Sequence, residues 1–170
     1  MTHRAYVGLG SNLGDRDAHL RAAVSAMQRL PGTRIIAESS IYVSAPMGTD
    51  DVQSDYYNAI VELDTKLAPH ALLDALQRIE QRAGRIRVAE RRYAARTLDL
   101  DILLCDDLIV DEQGLQLPHP RLADRAFVLL PLVEIAPDCV VPGLGPARML
   151  LPRVAGQRIA RIPSPLAAAS

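Results

Sequence analysis

The stretch RTLDLDILL, residues 96–104, constrains this chain most, because it places two carboxylates on one face of a strand. Thr, Leu and Ile favour an extended strand, in which successive side chains point to opposite faces. One face carries four apolar side chains, those of Leu98, Leu100, Ile102 and Leu104. The other carries Asp99 and Asp101, with Cα atoms about 7 Å apart. Aspartate is a poor strand residue and like charges on one face repel, so we expect something to compensate for both costs.

Two interpretations of Asp99 and Asp101 are open on this pattern alone. The polar side of the strand can face water, as it does in many antiparallel sheets. Alternatively, the two carboxylates bind Mg²⁺, a hard cation that keeps several waters and takes phosphate oxygens as further ligands. A bound cation would also cancel the repulsion between the carboxylates.

An arginine-rich segment leads directly into this strand. Residues 78–96 contain seven arginines, no lysine and two acidic residues, Glu80 and Glu90. A single arginine cluster is usually a solvated surface. Here, however, guanidinium groups suited to phosphate stand beside carboxylates suited to a divalent metal, and these are the parts of a phosphoryl-transfer site. The combination favours a nucleotide bound with Mg²⁺.

Length and composition predict an ordinary globular protein. The 170 residues indicate one domain over residues 1–160 and a flexible, Pro/Ala/Ser-rich tail over residues 161–170. A net charge of −1 and the lack of a long apolar run argue against a nucleic-acid or membrane partner. Cys105 and Cys139 form no CxxC and no Cys/His metal spacing, so we interpret them as reduced, buried thiols. We expect a soluble, cytoplasmic monomer.

The order of the predicted elements indicates an α+β fold. The predicted strands cover residues 5–9, 33–43 and 56–63 and the RTLDLDILL stretch. The predicted helices begin after Asp15 and at Pro69. This order matches the ferredoxin-like βαββαβ core, an antiparallel sheet with helices on one face and the other face free for a substrate. A small hairpin around Gly114 and an apolar helix over residues 128–136 are expected to follow.

Other side chains add to the candidate site. Tyr56 and Asn58 share one strand face and could stack on and hydrogen-bond a planar heterocycle, or simply pack across strands. Phe127 is by default a core residue, although a flat ligand ring would suit it. His119 lies between two prolines, where it could contact phosphate or serve as a surface or packing residue. GLGSNLG, residues 8–14, lacks the spacing of nucleotide-binding glycine motifs and mainly predicts a tight strand-to-helix turn.

Five segments resemble the 6-hydroxymethyl-7,8-dihydropterin pyrophosphokinases of folate synthesis. They are, in order, VGLGSNLGDR, DYYNAIVEL, QRIEQRAGRIR, RTLDLDILL and LPHPRLADRAFVLLPLVEIAPD. Together they reach from about residue 5 to residue 138, and RTLDLDIL followed by PHPR is highly specific to this family. Enzymes of the family transfer the β,γ-diphosphate of ATP to the hydroxymethyl group of a reduced pterin and release AMP.

The resemblance implies a role for each matching residue. Asp99 and Asp101 would bind two Mg²⁺ ions and, with Arg85 and Arg96, form the catalytic group. The residues implied on the ATP side are Gln77, Glu80, Arg85, Arg87, Arg96, Ile102, His119 and Arg125. The residues implied in the pterin pocket are Tyr56, Asn58 and Phe127, with the backbone of Ser44, Ala45, Pro46 and Met47. Loops around residues 44–55 and 84–96 would close over the substrates.

One segment departs from the family pattern. The family usually has RWGPRTLDLD where this chain has RYAARTLDLD, so Tyr93, Ala94 and Ala95 replace Trp, Gly and Pro. The loop thereby lacks a hinge glycine and a rigid proline. We expect slower or less complete ordering of residues 88–95 when substrates bind.

Two other function classes fit parts of the pattern. A palm-like nucleotidyl transferase also sets two aspartates on a ferredoxin-like sheet, but it releases pyrophosphate instead of AMP. A non-catalytic ferredoxin-like module would bind RNA or a small effector. RNA binding calls for exposed aromatic side chains and a basic surface, whereas this chain is 4% aromatic and lacks Trp. Binding of a small effector would not need the aspartate pair.

Overall fold

The computed structural model describes residues 1–45, 55–84 and 97–165. The helices are α1 (Arg16–Gln28), α2 (Pro69–Arg82) and α3 (Ala126–Ile135). The strands are β1 (His3–Ser11), β2 (Thr33–Glu38), β3 (Ser40–Ser44), β4 (Tyr56–Thr65), β5 (Asp99–Cys105), β6 (Val110–Glu112), β7 (Leu115–Leu117), β8 (Val140–Val141), β9 (Gly145–Pro146) and β10 (Ile159–Pro165). Short 3₁₀ segments lie at Leu122–Asp124 and Ala147–Val154.

The main sheet is antiparallel and has the strand order β10-β3-β4-β1-β5, with β2 also paired to β4. The predicted combination of helices with an antiparallel sheet is therefore confirmed. β5, which carries the two aspartates, lies at the end of this order and pairs with β1. The predicted strand over residues 5–9 is longer than expected, because β1 continues to Ser11, and the turn predicted within residues 8–14 begins only after it, with the first positive φ at Gly14.

The single strand predicted over residues 33–43 is divided into β2 and β3. The register against β4 shifts between Ile35 and Ala37, which leaves Ile36 as an extra residue. Ser39 then separates the two strands but stays attached to β4. Its N–H donates to the Ile60 carbonyl at 2.9 Å, and its hydroxyl accepts from the Ile60 N–H at 2.8 Å. These bonds hold the break against the sheet.

The first two helices begin where their local signals predict. The Asp15 carboxylate accepts the Ala18 N–H at 3.1 Å and caps α1, and Pro69 opens α2, where its missing N–H leaves no partner unsatisfied. The buried stripes of both helices pack on one face of the sheet, through Leu20, Ala23 and Met27 of α1 and Leu72, Leu76 and Ile79 of α2. Among the described residues, no helix is long and apolar enough to cross a membrane.

The second face of the sheet is partly covered by α3, which corrects the prediction that helices lie on one face only. Ile60 and Leu103 pack with Leu129 and Leu132 of α3 in a cluster separate from the one under α1 and α2. The sequence of α3, AFVLLPLVEI, is apolar almost all round because this helix contacts both the sheet and the 3₁₀ segment at residues 147–154.

Glu134 anchors α3 above β3. Its carboxylate accepts the Ser40 N–H at 3.0 Å, the Ser40 hydroxyl at 2.8 Å and the Tyr42 hydroxyl at 2.9 Å. Burial and the hydrogen bond to Glu134 raise the pKa of Tyr42 to about 12, so this phenol stays a donor. The helix therefore covers one part of the second face, while Tyr56, Asp99 and Asp101 remain only half-buried on another part.

The segment predicted as a tail from residue 161 begins as a strand. Residues Ile159–Pro165 form β10, in which Arg161 lies opposite Tyr42 of β3. The Arg161 Nε also donates to the Ser40 hydroxyl at 3.0 Å. These contacts extend the sheet beyond the end of the predicted domain.

Candidate active site

Two glycines of β1 form the floor of the candidate site. Gly10 lies opposite Asp99 on one side and Asn58 on the other, and Gly8 lies opposite Asp101 and Ile60. A Cβ on Gly10 would stand 3.6 Å from both Asn58 Oδ1 and Tyr56 Cδ1. Cross-strand neighbours share a face, so the missing side chain of Gly10 leaves a shallow space between Asp99 and the Tyr56–Asn58 pair. At Gly8 the Leu103 side chain packs over the backbone, 3.4 Å from where a Cβ would stand.

The shared face of Asp99 and Asp101 is confirmed by the packing of their neighbours. Leu98, Leu100 and Ile102 are buried in the cluster under α1 and α2, whereas both aspartates are half-buried. The prediction that Leu104 shares the apolar face is wrong. The register between β1 and β5 shifts after Tyr6, so Leu104 joins Leu103 in the cluster with α3.

Glu80 supports the strand from the helix side. This carboxylate is only 2% exposed, and its Oε2 accepts the Leu100 N–H at 2.8 Å. The bond fixes the backbone between Asp99 and Asp101 to α2. Gln77 is half-buried on the same helix, and Ile102 is buried in the neighbouring core. The visible role of Glu80 is therefore to position β5.

A cleft of about 360 Å³ lies along the outer side of β5. Its lining residues are Leu73, Asp101, Ile102, Glu112, Gln113, Gly114, Leu115, Gln116, His119 and Pro120. The β6–β7 hairpin, which the sequence predicted around Gly114, supplies one wall, and α2 supplies another. Its volume falls in the range of small-molecule sites, which is about 300–1,000 Å³.

His119 is fixed at the rim of this cleft. Its N–H donates to the Leu103 carbonyl at 2.9 Å, and its Nδ1 accepts the Arg121 N–H at 3.2 Å. Burial, and then the charges of Arg125 and Arg121, lower the pKa of His119, although Asp99 acts in the opposite direction. The imidazole is therefore neutral near pH 7. With Nδ1 accepting a hydrogen bond, the ring proton resides on Nε2, where it can be donated.

Arg125 and Phe127 stand at the start of α3. The Arg125 guanidinium carbon lies 5.4 Å from the centroid of the Phe127 ring. Gln157 secures this segment, because its Oε1 accepts the Ala126 N–H at 2.8 Å and its Nε2 donates to the Asp124 carbonyl at 2.6 Å. Sequence reasoning missed Gln157, which lies 31 residues beyond Ala126 and shows no local signal.

Asn58 connects the floor of the site to β3. Its Nδ2 donates to the Ser44 hydroxyl at 2.7 Å and to the Tyr42 carbonyl at 3.2 Å. Asn58 is buried, whereas Tyr56 is half-buried and Ala45 is exposed. With its NH₂ group bound inside the protein, Asn58 offers the Oδ1 acceptor on the side of Gly10.

Several predicted site residues lie outside the described residues. They are Pro46, Met47, Arg85, Arg87 and Arg96, together with the departing residues Tyr93, Ala94 and Ala95. The described part of the predicted site does converge on one region. Asp99 and Asp101 lie beside the glycine floor, Tyr56 and Asn58 lie across it, and the charge of Asp99 acts on His119.

Comparisons with known proteins give one consistent match. Residues 6–137 match the family described as 7,8-dihydro-6-hydroxymethylpterin-pyrophosphokinase. The chain is 48% identical over 142 residues to the 2-amino-4-hydroxy-6-hydroxymethyldihydropteridine pyrophosphokinase of Pseudomonas aeruginosa, covering 84% of this chain and 86% of the relative. It is 47% identical over 138 residues to the protein of the same name from Haemophilus influenzae, covering 81% and 84%.

Solved structures show the same fold at much lower sequence identity. The wild-type HPPK-DHPS of Plasmodium falciparum matches with a TM-score of 0.71 at 16% identity. A triple mutant of that protein, described as carrying SDX-DHP, matches with a TM-score of 0.72 at 18% identity. Each match covers 90% of this chain but only 45% and 44% of those longer chains, respectively. This likeness concerns the fold.

Proposed function

This chain belongs to the 7,8-dihydro-6-hydroxymethylpterin-pyrophosphokinase family, and we propose that it transfers the β,γ-diphosphate of ATP to 6-hydroxymethyl-7,8-dihydropterin. The pterin hydroxyl oxygen forms a bond to the β-phosphorus while the bond from that phosphorus to the AMP oxygen breaks. The hydroxyl proton passes to solvent, and AMP leaves. The products are AMP and the pterin diphosphate, a step of folate biosynthesis.

One observation carries this proposal, namely the row Asp99–Gly10–Asn58 across three adjacent strands. It sets a carboxylate and a ring-binding polar group about two strand spacings apart, or roughly 10 Å. Gly10 adds no side chain between them. A ring beside Asn58 and phosphates beside Asp99 would thus lie close enough for a hydroxymethyl group on the ring to reach the phosphates. Such positioning, with preorganised charge, is the main source of catalysis in phosphoryl transfer.

Asp99 and Asp101 fit a site for Mg²⁺, and we propose that they hold two ions. Both are half-buried on one face of β5, and Asp101 also lines the cleft. Carboxylates with room for water and phosphate are the donors that this cation takes. When bound, Mg²⁺ supplies positive charge to the phosphate oxygens. The buried Glu80 holds the backbone between the two ligands and so keeps their spacing.

The cleft along β5 is the proposed site of ATP. Ile102 contributes an apolar wall, and the neutral His119 offers its Nε2–H to a phosphate oxygen. The positive charge of Arg125 lies near His119 and adds to the attraction. Gln77, Glu80, Arg85, Arg87 and Arg96 remain proposed ATP-side residues, with Arg85 and Arg96 acting in catalysis.

The pterin is proposed to lie on the glycine floor. Tyr56 and Phe127 would contact its ring, and Asn58 Oδ1 would accept a hydrogen bond from its amino or ring N–H groups. The segment Ser44–Met47 would complete the pocket with its backbone. The expected closure of the loops around residues 44–55 and 84–96 concerns segments that lie mostly outside the described residues.

We also propose that the core is ferredoxin-like. The order β5-β1-β4-β2, with α1 and α2 on one face, supports this assignment. The chain is proposed to form one domain, whose sheet continues past residue 160 into β10, and to act as a monomer in the cytoplasm. Sedimentation of the purified chain at micromolar concentration would test the monomer directly.

The test is AMP release from ATP, with and without the pterin and Mg²⁺. The parent is compared with Asp101→Ala and with Asp138→Ala, a control whose side chain is 96% exposed in the turn between α3 and β8. We expect AMP to require both pterin and metal, to fall by at least about 100-fold in Asp101→Ala, and to be unchanged in the control. Pyrophosphate in place of AMP would indicate a nucleotidyl transferase. A folded parent that releases no pterin-dependent AMP would refute the proposal.

A further inference from the structure

β5 begins at Asp99, and a second group of metal-ligating side chains lies at its other end. It consists of His3 near the start of β1, Cys105 at the end of β5, and Asp106 in the following turn. One ligand atom from each residue lies within 4.8 Å of the other two. The antiparallel pairing of Ala5 with Cys105 brings the distant His3 to this corner.

We propose that His3, Cys105 and Asp106 bind a borderline divalent transition-metal ion, of which Zn²⁺ is the representative. Imidazole nitrogen, thiolate sulfur and carboxylate oxygen are the donors of such ions, and three protein ligands leave a fourth position for water. Bond lengths of about 2.0–2.3 Å place tetrahedral ligand atoms roughly 3.3–3.8 Å apart. The His3 Nδ1 and Asp106 Oδ2 atoms, now 2.7 Å apart, would separate slightly to admit the ion.

The carboxylate is already oriented for this role. Asp106 Oδ1 accepts the Arg4 N–H at 2.8 Å, which leaves Oδ2 on the side of His3. The Asp106 N–H donates in turn to the Arg4 carbonyl at 2.8 Å, and these bonds hold Asp106 at a φ of 51°. Supporting hydrogen bonds of this kind orient metal ligands in proteins. Partial burial opposes ionisation of Asp106, yet the bonds from Arg4 and His3 outweigh it and lower the pKa of Asp106.

The corner combines an open side with a buried thiol. The side chains of His3 and Asp106 are 24% and 34% exposed, whereas Cys105 is 1% exposed. Burial, and then the charge of Asp106, raise the pKa of Cys105 to about 11, so the metal-free residue is a thiol. Coordination therefore displaces one proton from the thiol to solvent.

This site is separate from the proposed Mg²⁺ ligands in position and in chemistry. Cys105 follows Asp101 by four residue steps along the strand, which corresponds to about 13 Å. The nearest arginine turns away from the corner, because Arg4 NH1 contacts the buried Glu62 at 2.8 Å on the other face of the sheet. A nitrogen–sulfur–oxygen donor set disfavours Mg²⁺, which prefers oxygen donors.

The experiment is a titration of the tag-free, metal-stripped full chain with Co²⁺, followed by competition with Zn²⁺. Thiolate coordination gives a sulfur-to-cobalt charge-transfer band in the near ultraviolet. We expect this band in the parent and in Cys139→Ser, and its loss in Cys105→Ser. His3→Asn, a change at a partly exposed position, tests the site without disturbing the core. It should weaken Co²⁺ binding by at least about 10- to 100-fold.

Each outcome bears on the proposal. A band at one equivalent that Zn²⁺ displaces, that His3→Asn weakens and that Cys139→Ser keeps would support it. Absence of the band in the folded parent, or a band that survives Cys105→Ser, would overturn it. Because the signal is metal binding and not AMP release, this result is independent of the proposed enzymatic activity.

Discussion

Substitution of Gly10 by alanine should affect folding and substrate binding in opposite directions. Gly10 lies in β1 without a positive φ, so alanine fits its backbone. The new Cβ would meet Asn58 Oδ1 and Tyr56 Cδ1 at 3.6 Å, which is ordinary van der Waals contact. The protein itself therefore has room for the methyl group. A pterin ring lying on the glycine floor would collide with that methyl group.

The two effects have estimable sizes. Alanine restricts the unfolded chain more than glycine, so the free energy of unfolding should stay equal or rise by about 0.5 kcal/mol. Overpacking by one methyl group costs roughly 1–3 kcal/mol in a well-fitted site. That cost weakens pterin binding by about 5- to 150-fold.

The assay uses two measurements. Urea unfolding gives the stability, and the fluorescence of the pterin reports its equilibrium binding. Gly156→Ala is the matched control, because a Cβ on Gly156 meets no atom within 4 Å. We expect the control to bind pterin like the parent. If Gly10→Ala bound the pterin as tightly as the parent, Gly10 could not lie under the ring. If it lost stability instead, the argument from open space would be wrong.

Two further predictions concern groups beside the site. Glu80→Ala removes the acceptor of the Leu100 N–H and should lower the free energy of unfolding, measured in urea, by about 1–3 kcal/mol. Glu80→Gln keeps an oxygen at that position and should lower the free energy of unfolding by less. Equal decreases in the two variants would show that this hydrogen bond does not stabilise the protein. Burial, with Arg125 and Arg121, lowers the pKa of His119 below its unfolded value of about 6.5, so its contribution to stability is present above that pH and is lost as pH falls toward the folded pKa. The free energy of unfolding of the parent should therefore fall below about pH 6.5. Urea unfolding at a series of pH values should show a weaker pH dependence in His119→Gln. An equal pH dependence in both proteins would contradict this role of His119.

Local patterns predicted the elements that carry the site. Three local signals each act within four residues and can therefore be recognised in the sequence. They are the Asp15 cap, Pro69 at the start of α2, and the alternation around Asp99 and Asp101. The grouping of the aspartates with Tyr56 and Asn58 came from the family resemblance, and the register of β1 shows the physical route.

The predictions were wrong where packing between distant segments of the chain decides which face a side chain occupies. Leu104 lies on the other face from the predicted one because the register between β1 and β5 shifts at Tyr6. No sequence pattern near Leu104 indicates that shift. The covering of the second face depends on Glu134 reaching Ser40, 94 residues away. The turn predicted for GLGSNLG begins only after Ser11, because Gly10 lies in β1, where the absence of a side chain opens the floor.

By itself, the sequence determined the strand carrying the aspartates, the starts of α1 and α2 and, through its motifs, the family. Those features depend on hydrophobic period and local hydrogen bonds. Only the tertiary structure decided which faces are covered and which side chains meet. His3 shows the difference, because spacing along the chain indicated no metal site, yet strand pairing sets it beside Cys105 and Asp106, across a separation of about one hundred residues. Contacts of that kind depend on the register of the whole sheet, which no short stretch of sequence contains.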